Sequence, residues 1–489
     1  MAGTGLEQGI QPSRARVGVF GIGLAAYWPQ FPGLKERLAG YQREVEQRLT
    51  ALGAEVISAG LVDDAATARA AGDRFARAGA TLLVCYVGTY ATSSQVLPAV
   101  QSRSGAGAIA PVLVLNLQPT ASLDYEHIDT AEWLANCSAC CVPEIAAVFA
   151  RAGIRFHVVS GVLNPDDPDT DAGAVAWNEI GGWISAAGVA SELRRARIGV
   201  LGHTYPGMLD LYADFTRLQG RLGIHVELLE MDDLETRVQA VSEAERAARI
   251  AELRRTFRLD GVIEEQQLAW SATVACGLDR LVADFDLHGL TYYYRGLDGN
   301  MFERLGAALI PGASLLTARG VPCAGEGDIQ TCLAMLIMDR LHAGGSFTEF
   351  YAMDFRQQFV LMGHDGPGHL VISDAQPVLR DIALYHGKRG QGLSVEFSVK
   401  HGPVTILSLA HTADGGLKLL LAEGESIPGP ILRLGNTNSR LRFALDPGAF
   451  VSRWAEEGPP HHCALGVGHR QATIRKLADL LGLPLVVVG

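Results

Sequence analysis

Two glutamates stand near glycines at the ends of predicted elements. Glu326 lies between two glycines in CAGEGDIQ, after a short apolar run and just before a helix that Asp328 is predicted to cap. Glu349 follows a glycine pair in HAGGSFTEF, among apolar and aromatic neighbours. Glycines permit unusual backbone angles and the close approach of a ligand, and a buried carboxylate needs a partner. Taken alone, Glu326 is more simply interpreted as a solvated turn residue.

Three histidines occupy comparable positions. His364 ends the apolar run of QQFVLMGH, before a Gly/Pro loop. His461 and His462 stand side by side in EGPPHHCALGVGH, which we predict to be a loop leading to a helix. A single histidine in such a place is more often a hydrogen-bonded structural residue than a ligand. Whether such a histidine is a metal ligand therefore depends on the residues that surround it in the folded protein.

Taken as a set, two glutamates and two histidines at the ends of elements have the chemistry of a divalent-metal site. Carboxylate oxygens and imidazole nitrogens together suit Mn²⁺, Co²⁺ or Mg²⁺. Four protein ligands on an octahedral ion leave two positions open. Adjacent oxygens of a polyol or a hydroxyaldehyde could occupy those positions as a chelate, which is a geometry suited to sugar isomerisation.

The elements that must position these residues begin with alternating short apolar runs and longer segments of helical period. The pattern is typical of βαβ units around a parallel sheet. The helical segment LKERLAGYQREVEQRLTALG is predicted to end at Gly53, a C-terminal glycine stop. The predicted strands are RVGVF (16–20), EVISAGLV (55–62), TLLVCYV (81–87), PVLVLNL (111–117) and RFHVVSG (155–161).

A second series follows, and then the pattern changes. The second set of predicted strands, each before a helix, is RIGVLG (197–202), HVELLEM (225–231), LDGVIEE (259–265) and GLTYYY (289–294). Beyond about residue 350 the alternating runs between Gly, Pro and Asp turns predict antiparallel strands. These runs are LSVEFSVK, PVTILSLAHT, LKLLLAEG and ILRLG, followed by a closing helix near 472–481 and a last strand, LPLVVV.

We therefore predict the α/β fold class: two successive Rossmann-like parallel-sheet domains followed by a C-terminal antiparallel, barrel-like β-rich domain. A length of 489 residues fits three domains better than one. The predicted boundaries are a disordered leader at 1–14, an N-terminal α/β domain at 15–194, a central α/β domain at 195–350 and the β-rich domain at 351–489.

Composition excludes several classes of partner and cofactor. A net charge of -12 argues against nucleic acid or an anionic membrane as a partner. The chain has no apolar run long enough to cross a bilayer, and its first residues lack the apolar core of a secretory signal. We expect a cytoplasmic protein. GVFGIGLAAY lacks the third glycine of a dinucleotide-binding motif, and no P-loop occurs, so NAD and ATP are not expected.

The eight cysteines are scattered, and we do not expect them to form a disulfide framework. One cluster, Cys137-x-x-Cys140-Cys141, has a spacing used by metal and redox sites. A second CxxC, which a zinc site usually needs, is absent from the sequence. We interpret the cluster as ordinary packing at the start of a helix near Val142.

The order of the motifs resembles that of the L-arabinose and L-fucose isomerase family. GEGD before a helix, then GGSFxE, then GH after an apolar run, and finally HH near the C-terminus follow one another as in L-arabinose isomerases. The resemblance implies that Glu326 and Glu349 are the metal carboxylates and that His364 and His462 are the imidazole ligands. It also implies Mn²⁺, or alternatively Co²⁺ or Mg²⁺, and a homo-oligomer, a trimer or a hexamer.

Substrate contacts are predicted less directly. The loop GIGLAAYWPQFPG departs from the family pattern, so Tyr27, Trp28 and Gln30 are candidates and L-arabinose itself is in doubt. His203 and Tyr205 follow the first strand of the central domain, where ligands of α/β folds bind. Arg295 also ends a strand and could receive an anionic group, although a structural ion pair is an alternative. Lys388 in YHGKRG matches a Gly-Lys motif of the family's β domain.

These residues predict an intramolecular oxidoreductase, an aldose–ketose isomerase acting on an open-chain sugar. Glu326 or Glu349 would remove the proton from C2 and the same or the other group would return it at C1, through an enediol. A hydride shift from C2 to C1 is the alternative route. A non-catalytic sugar-binding or sensor protein and a metal-dependent sugar epimerase remain as alternative functions.

Overall fold

The computed structural model describes residues 14–102, 110–261, 263–295, 299–383 and 391–489. Two compact units contain them, 14–192 and 193–489. The proposed separation of a central from a β-rich domain stays a prediction, since residues 195–489 fall within one unit. Most of the proposed leader lies outside the described residues.

The first unit is a parallel sheet with helices between its strands. Its strands are β1 (Arg16–Ile22), β2 (Glu55–Val62), β3 (Leu82–Val87), β4 (Val112–Gln118) and β5 (Phe156–Val162), in the order β2-β1-β3-β4-β5. Its helices are α1 (Leu34–Ala51), α2 (Ala65–Arg77), α3 (Ser93–Val96), α4 (Thr130–Asn136), α5 (Val142–Arg151) and α6 (Ala172–Leu193). The order reverses at β1, which creates a crevice beyond the carboxyl ends of β1 and β3.

The local sequence explains these elements. β3 is buried along its whole length, as a strand covered on both faces must be. Gly53, just after α1, has φ 94°, so the predicted glycine stop is confirmed. Asp64 accepts hydrogen bonds from two backbone N–H groups at the start of α2 and caps it. None of the described helices combines the length and the apolar composition required to span a membrane.

The second unit carries the remaining elements. Its strands are β6 (Arg197–Gly202), β7 (His225–Leu229), β8 (Arg258–Asp260), β9 (Gly289–Tyr293), β10 (Cys323–Ala324), β11 (Gly344–Asp354), β12 (Phe359–His364), β13 (Val378–Ala383), β14 (Gln391–Glu396), β15 (Gly402–His411), β16 (Leu417–Ile427), β17 (Thr437–Phe443), β18 (His462–Val467) and β19 (Leu485–Val487). Its helices are α7 (Phe215–Leu222), α8 (Met231–Gln239), α9 (Glu243–Thr256), α10 (Glu265–Asp284), α11 (Met301–Gly306), α12 (Leu309–Ala318), α13 (Ile329–Arg340), α14 (Pro447–Glu456) and α15 (Gln471–Leu481).

Two sheets of this unit position the site. The first is parallel, with the order β10-β9-β6-β7. The second runs β15-β18-β11-β12-β17-β16, and pairing of β16 with β15 closes it into an antiparallel barrel to which β19 adds alongside β16. The predicted fold class is therefore confirmed: parallel α/β sheets precede a closed antiparallel β domain.

Three predicted strands differ from the structure. HVELLEM ends at Leu229, because Glu230 and Asp233 form a capping box that starts α8. LDGVIEE contributes only β8, which pairs with β13 in a small separate sheet rather than with the central sheet. ILRLG is not a strand: it lies between proline and glycine residues, and Leu432 and Leu434 are about half exposed. The strand β17 begins just after it.

Candidate metal centre

Strand register in the closed sheet brings three of the predicted ligands together. Glu349 on β11 lies directly opposite His462 on β18. On its other side Glu349 lies opposite Gly363 on β12, and His364 is the next residue along that strand. Three neighbouring strands therefore deliver one carboxylate and two imidazoles. His462 begins a strand, although the sequence suggested a loop for this segment.

A tight turn after β10 displays the fourth predicted ligand. Glu326 has φ 61° and Gly327 has φ 74°, so two consecutive residues adopt the left-handed conformation. A Cβ at Gly327 would lie 2.5 Å from the Cα of Thr204, and only glycine fits there. The N–H of Tyr205 donates to the carbonyl of Glu326 at 2.8 Å. The backbone of the loop after β6 therefore holds the turn in place.

The donor atoms of these residues lie close together. His364 Nε2 is 3.2 Å from His462 Nε2, and Glu326 Oε2 is 3.6 Å from His462 Nε2. The ligand atoms of Glu349, His364 and His462 lie within 4.8 Å of one another. Glu326 Oε2 is buried and has no hydrogen-bond partner among the described residues. A buried carboxylate oxygen without a partner is costly unless a cation binds it.

The donor set fits a divalent cation. Two ligands in adjacent octahedral positions are expected roughly 3 Å apart for metal–ligand distances near 2.1 Å, and the two histidine Nε2 atoms are 3.2 Å apart. His462 Nδ1 lies 2.9 Å from Asp328 Oδ2, and both side chains are fully buried. Asp328 therefore accepts the Nδ1 proton and leaves Nε2 of His462 facing the site, the arrangement typical of a metal-ligating histidine.

His364 is held differently. The N–H of Gly366 donates to His364 Nδ1 at 2.8 Å, so the proton of the neutral ring lies on Nε2. Asp365 Oδ1 lies 3.3 Å from the same Nδ1. A cation on Nε2 would require this proton to move to Nδ1, where the Asp365 carboxylate can accept it. The ring itself is fixed by Phe347, whose centroid is 4.4 Å away.

A cavity opens beside this cluster within the second unit. Glu326 and His364 line one side of it, and Tyr205 and Arg295 contribute to the rest. Tyr205 packs against Tyr293, with ring centroids 4.5 Å apart. The walls of the cavity combine aromatic rings with charged groups, a mixture that suits a polar ligand.

Comparison with known proteins agrees with this arrangement. A family model described as the L-arabinose isomerase C-terminal domain matches residues 344–484. L-arabinose isomerase from Acidothermus cellulolyticus is 27% identical over 394 residues, 77% of this chain and 75% of the relative. Sulfoquinovose isomerase from Alkalicoccus urumqiensis is 25% identical over 66% of this chain and 71% of its own length. L-arabinose isomerase 1 from Bacillus licheniformis is 24% identical over 78% and 76%.

The chain is a divergent relative of the L-arabinose isomerases, and residues 344–484 match their C-terminal domain. The predicted family is thereby confirmed, and so is the predicted enzyme class, an isomerase of the aldose–ketose type. The match to the family model begins at β11, which carries Glu349, and it includes the strands of both histidine ligands. Glu326 lies before the matched segment.

The two carboxylates of this isomerase differ in their electrostatics. Burial raises the pKa of Glu349, and the neighbouring imidazoles only partly oppose this. Burial also favours the neutral form of Glu326, but His461, His462 and His364 together outweigh it and lower the pKa of Glu326. Burial lowers the pKa of His364, which keeps that ring neutral, as a metal ligand must be.

Sequence reasoning missed one pair of residues at this site. His461 Nδ1 lies 2.6 Å from Asp210 Oδ2, and the backbone N–H of His461 donates to the same oxygen at 3.0 Å. His461 Nε2 is 3.7 Å from Glu326 Oε2, an ion-pair distance rather than a hydrogen bond. Burial opposes the charged imidazole, but Glu326 and Asp210 raise the pKa of His461 to about 9. The distance in sequence between Asp210 and His461 gave no signal of this contact.

The candidate substrate contacts of the second unit have different surroundings. Tyr205 and Arg295 line the cavity. His203 is exposed, and its Nδ1 lies 2.8 Å from the carbonyl of Thr204, while its ring contacts Tyr293 edge-on. Lys388 lies outside the described residues. The role of each as a substrate contact stays a prediction.

The candidate contacts of the first unit lie in the segment after β1. Trp28 Nε1 donates to Asp63 Oδ2 at 2.8 Å, which ties the ring to the end of β2. Gln30 is exposed, and its amide donates to the carbonyl of Ala26. Tyr27 is half-buried and packs edge-on against Phe31. The side chains of Trp28 and Gln30 thus donate their hydrogen bonds to residues of the same unit.

The cysteine cluster lies at a helix start, as predicted. α5 begins at Val142, directly after Cys141, which is buried. Cys137 Sγ lies 2.9 Å from Cys140 Sγ, and Cys140 is exposed. Burial raises the pKa of the Cys137 thiol to about 12, so this sulfur is a poor nucleophile at neutral pH.

Proposed function

We propose that this protein is a metal-dependent aldose–ketose isomerase acting on an open-chain sugar. One observation carries the proposal: two overlapping groups of donor atoms, Glu326 with His462 and Glu349 with His364 and His462, come together, and a buried oxygen of Glu326 has no hydrogen-bond partner among the described residues. The names of the relatives, L-arabinose isomerase and sulfoquinovose isomerase, support a sugar as the substrate.

Glu326, Glu349, His364 and His462 would hold the cation, and we propose Mn²⁺, with Co²⁺ and Mg²⁺ as alternatives. When bound, the cation supplies Lewis-acid polarisation of the sugar's carbonyl and neighbouring hydroxyl oxygens. Asp328 orients His462, and Phe347 packs against both imidazole rings at centroid distances of 4.4 and 4.3 Å.

The protein's own task is to move a proton between neighbouring carbons. One of the two glutamates removes the proton from C2 and the same or the other carboxylate returns it at C1, through an enediol, while the proton of the C2 hydroxyl passes to the C1 oxygen. Their environments push the two pKa values apart, Glu349 upward and Glu326 downward.

The test is a screen of aldoses, including deoxy- and sulfo-sugars, with Mn²⁺ added to metal-stripped protein. We expect ketose formation from at least one aldose, detected by NMR, and none without metal. A C2 epimer as the product would instead identify an epimerase. Sugar binding without turnover in the wild-type protein, unchanged in a Glu326→Gln/Glu349→Gln variant, would identify a binding protein.

The route can be tested in D₂O. Deuterium incorporated from solvent at the carbon that receives the proton supports the enediol. A product with no solvent deuterium would favour a hydride shift, unless the proton is shielded from exchange. A cytoplasmic location and a homo-oligomer, a trimer or a hexamer, stay predictions of the sequence analysis.

A further inference from the structure

Asp210 and His461 form a pair that is anchored from both sides. Asp210 lies in the short helical turn Leu209–Leu211, after β6, and His461 directly precedes β18. One oxygen of Asp210 receives both the ring and the backbone N–H of His461, at 2.6 and 3.0 Å. The amide of Gln330 on α13 donates to the Asp210 carbonyl at 3.0 Å. These contacts fix the rotation of the imidazole.

The fixed ring points its second nitrogen at the candidate metal centre. Nε2 of His461 faces Glu326 Oε2 at 3.7 Å, and its ring packs on that of His462 with centroids 3.8 Å apart. The side chain of His461 is 37% exposed, whereas that of His462 is fully buried. His461 therefore stands on the more exposed side of the cluster, next to Glu326, which lines the cavity described above.

His461 could instead be a further metal ligand, and the grouping of donor atoms argues against this. His462 belongs to both sets of mutually close donors, the one with Glu326 and the one with Glu349 and His364. His461 belongs only to the set with Glu326. A cation bound by all four predicted ligands would therefore lie near His462, and His461 is less suitably placed to bind it.

We propose that His461 is a substrate-contacting residue whose Nε2 hydrogen-bonds an oxygen of the sugar next to Glu326, and that Asp210 is the positioning residue that aims it. The proposal rests on the proposed function. The ligand is an aldose or its open-chain polyol equivalent, since an imidazole beside open coordination positions meets hydroxyl and carbonyl oxygens.

The experiment uses full-length protein loaded with Mn²⁺ and measures two quantities separately: bound manganese by elemental analysis, and the affinity for five- and six-carbon alditols by calorimetry. We expect His461→Ala to retain manganese at the wild-type level and to weaken alditol binding about tenfold, the usual loss for a hydrogen bond to a charged or polar group. Asp210→Asn should weaken binding less, and the double variant no more than His461→Ala alone.

Control variants make each outcome decisive. His225→Ala removes a histidine that pairs with a surface carboxylate, Glu227, and should change neither quantity. If His461→Ala is poorly folded by thermal melting, His461→Gln, which retains an amide N–H, replaces it and should recover part of the affinity. Loss of manganese in the His461 variants, or alditol binding within twofold of wild type, overturns the proposal.

Failure of this proposal and failure of the proposed function are distinguishable. A wild-type protein that binds no manganese or converts no aldose would refute the isomerase itself, whatever the His461 variants do. A wild-type isomerase in which Asp210→Asn and His461→Ala act additively would refute only the pairing of the two residues. A KM increase with little change in kcat in Asp210→Asn is expected for positioning and not for a general loss of stability.

Discussion

Two segments of this protein follow the carboxyl end of a parallel strand, and both were candidates for ligand contact. In the segment after β1, Trp28 donates to Asp63 and Gln30 to the carbonyl of Ala26. In the turn after β10, a buried oxygen of Glu326 has no hydrogen-bond partner among the described residues. Both segments thus lie at a strand end. They differ because the named polar side-chain atoms after β1 have hydrogen-bond partners, whereas the oxygen of Glu326 after β10 has none among the described residues. Such atoms indicate where a ligand is needed.

The largest effect is expected when either carboxylate of the candidate metal centre is removed. Glu326→Gln and Glu349→Gln each keep the side-chain shape but delete the charge and the base, so kcat/KM should fall at least about a hundredfold and up to ten-thousandfold. Steady-state assays on the aldose found in the screen measure this. Glu425→Gln on the exposed face of β16 is the control and should keep wild-type activity. Activity within tenfold of wild type in both variants would contradict the metal centre.

The next test concerns the partner of His462. Asp328→Asn removes the carboxylate that fixes the ring, and we expect manganese affinity to fall about 10- to 100-fold. Titration of metal-stripped protein followed by electron paramagnetic resonance measures the free Mn²⁺. The matched control is Asp446→Asn, because Asp446 also caps a helix, α14, but contacts no histidine there. Equal losses in both variants would show a helix-capping effect instead.

The turn itself can be tested through its glycine. Gly327→Ala places a Cβ 2.5 Å from Thr204 Cα at φ 74°, and we expect a loss of about 2–4 kcal/mol in the free energy of unfolding, together with weaker metal binding. Gly458→Ala has a similar φ, 62°, and open space, so only about 1 kcal/mol should be lost. Denaturant unfolding compares them. Similar losses would mean that the contact with Thr204 is unimportant.

A smaller effect distinguishes structure from substrate contact in the segment after β1. Trp28→Phe deletes the hydrogen bond to Asp63, and we expect about 1 kcal/mol less stability and a melting temperature lower by about 2–4 °C, with KM unchanged. Trp133→Phe, at a ring that is 48% exposed, serves as the control. An increase in KM of fivefold or more in Trp28→Phe would instead support the predicted substrate contact.

The smallest effect is a pH dependence of the metal-free protein. The folded-state pKa of His461 is raised from 6.5 to about 9, so its stabilising contribution is complete below pH 6.5 and is lost as the pH rises through 9. Melting temperatures of metal-stripped protein should therefore fall over this range. The fall should be shallower in His461→Gln, and an identical pH profile in both proteins would contradict the ion pair.

Much of the fold could be predicted from the sequence because hydrophobic periodicity encodes it locally. β2 and β6 have the predicted ends, and the other predicted strands of the parallel sheets differ by one or two residues, whereas the two-residue strand β10 was not predicted. LDGVIEE failed because its partner, β13, lies more than a hundred residues away, and periodicity does not identify partners. ILRLG failed because a short apolar run also suits an exposed loop beside prolines.

The candidate site was predictable to a different degree. Glycines around Glu326 and before Glu349 suggested display of the carboxylates, and the motif order selected four residues that fall in two groups of donor atoms sharing His462. The register of Glu349 with His462 was not visible, since strand pairing between distant segments has no local signature. The Asp210–His461 contact escaped notice for the same reason, although His461 itself had been singled out.

The register of the closed sheet has a consequence for how the centre comes into being. Glu349 and His462 face one another only if β11 and β18 pair as they do, and a slip of one residue would turn one of them to the opposite face. In a sheet without this pairing, Glu349 and His462 would lie apart and would bind an ion weakly. Because an ion that binds only the native pairing stabilises it by mass action, a divalent cation at this centre would favour the native register over misaligned pairings of β11 and β18.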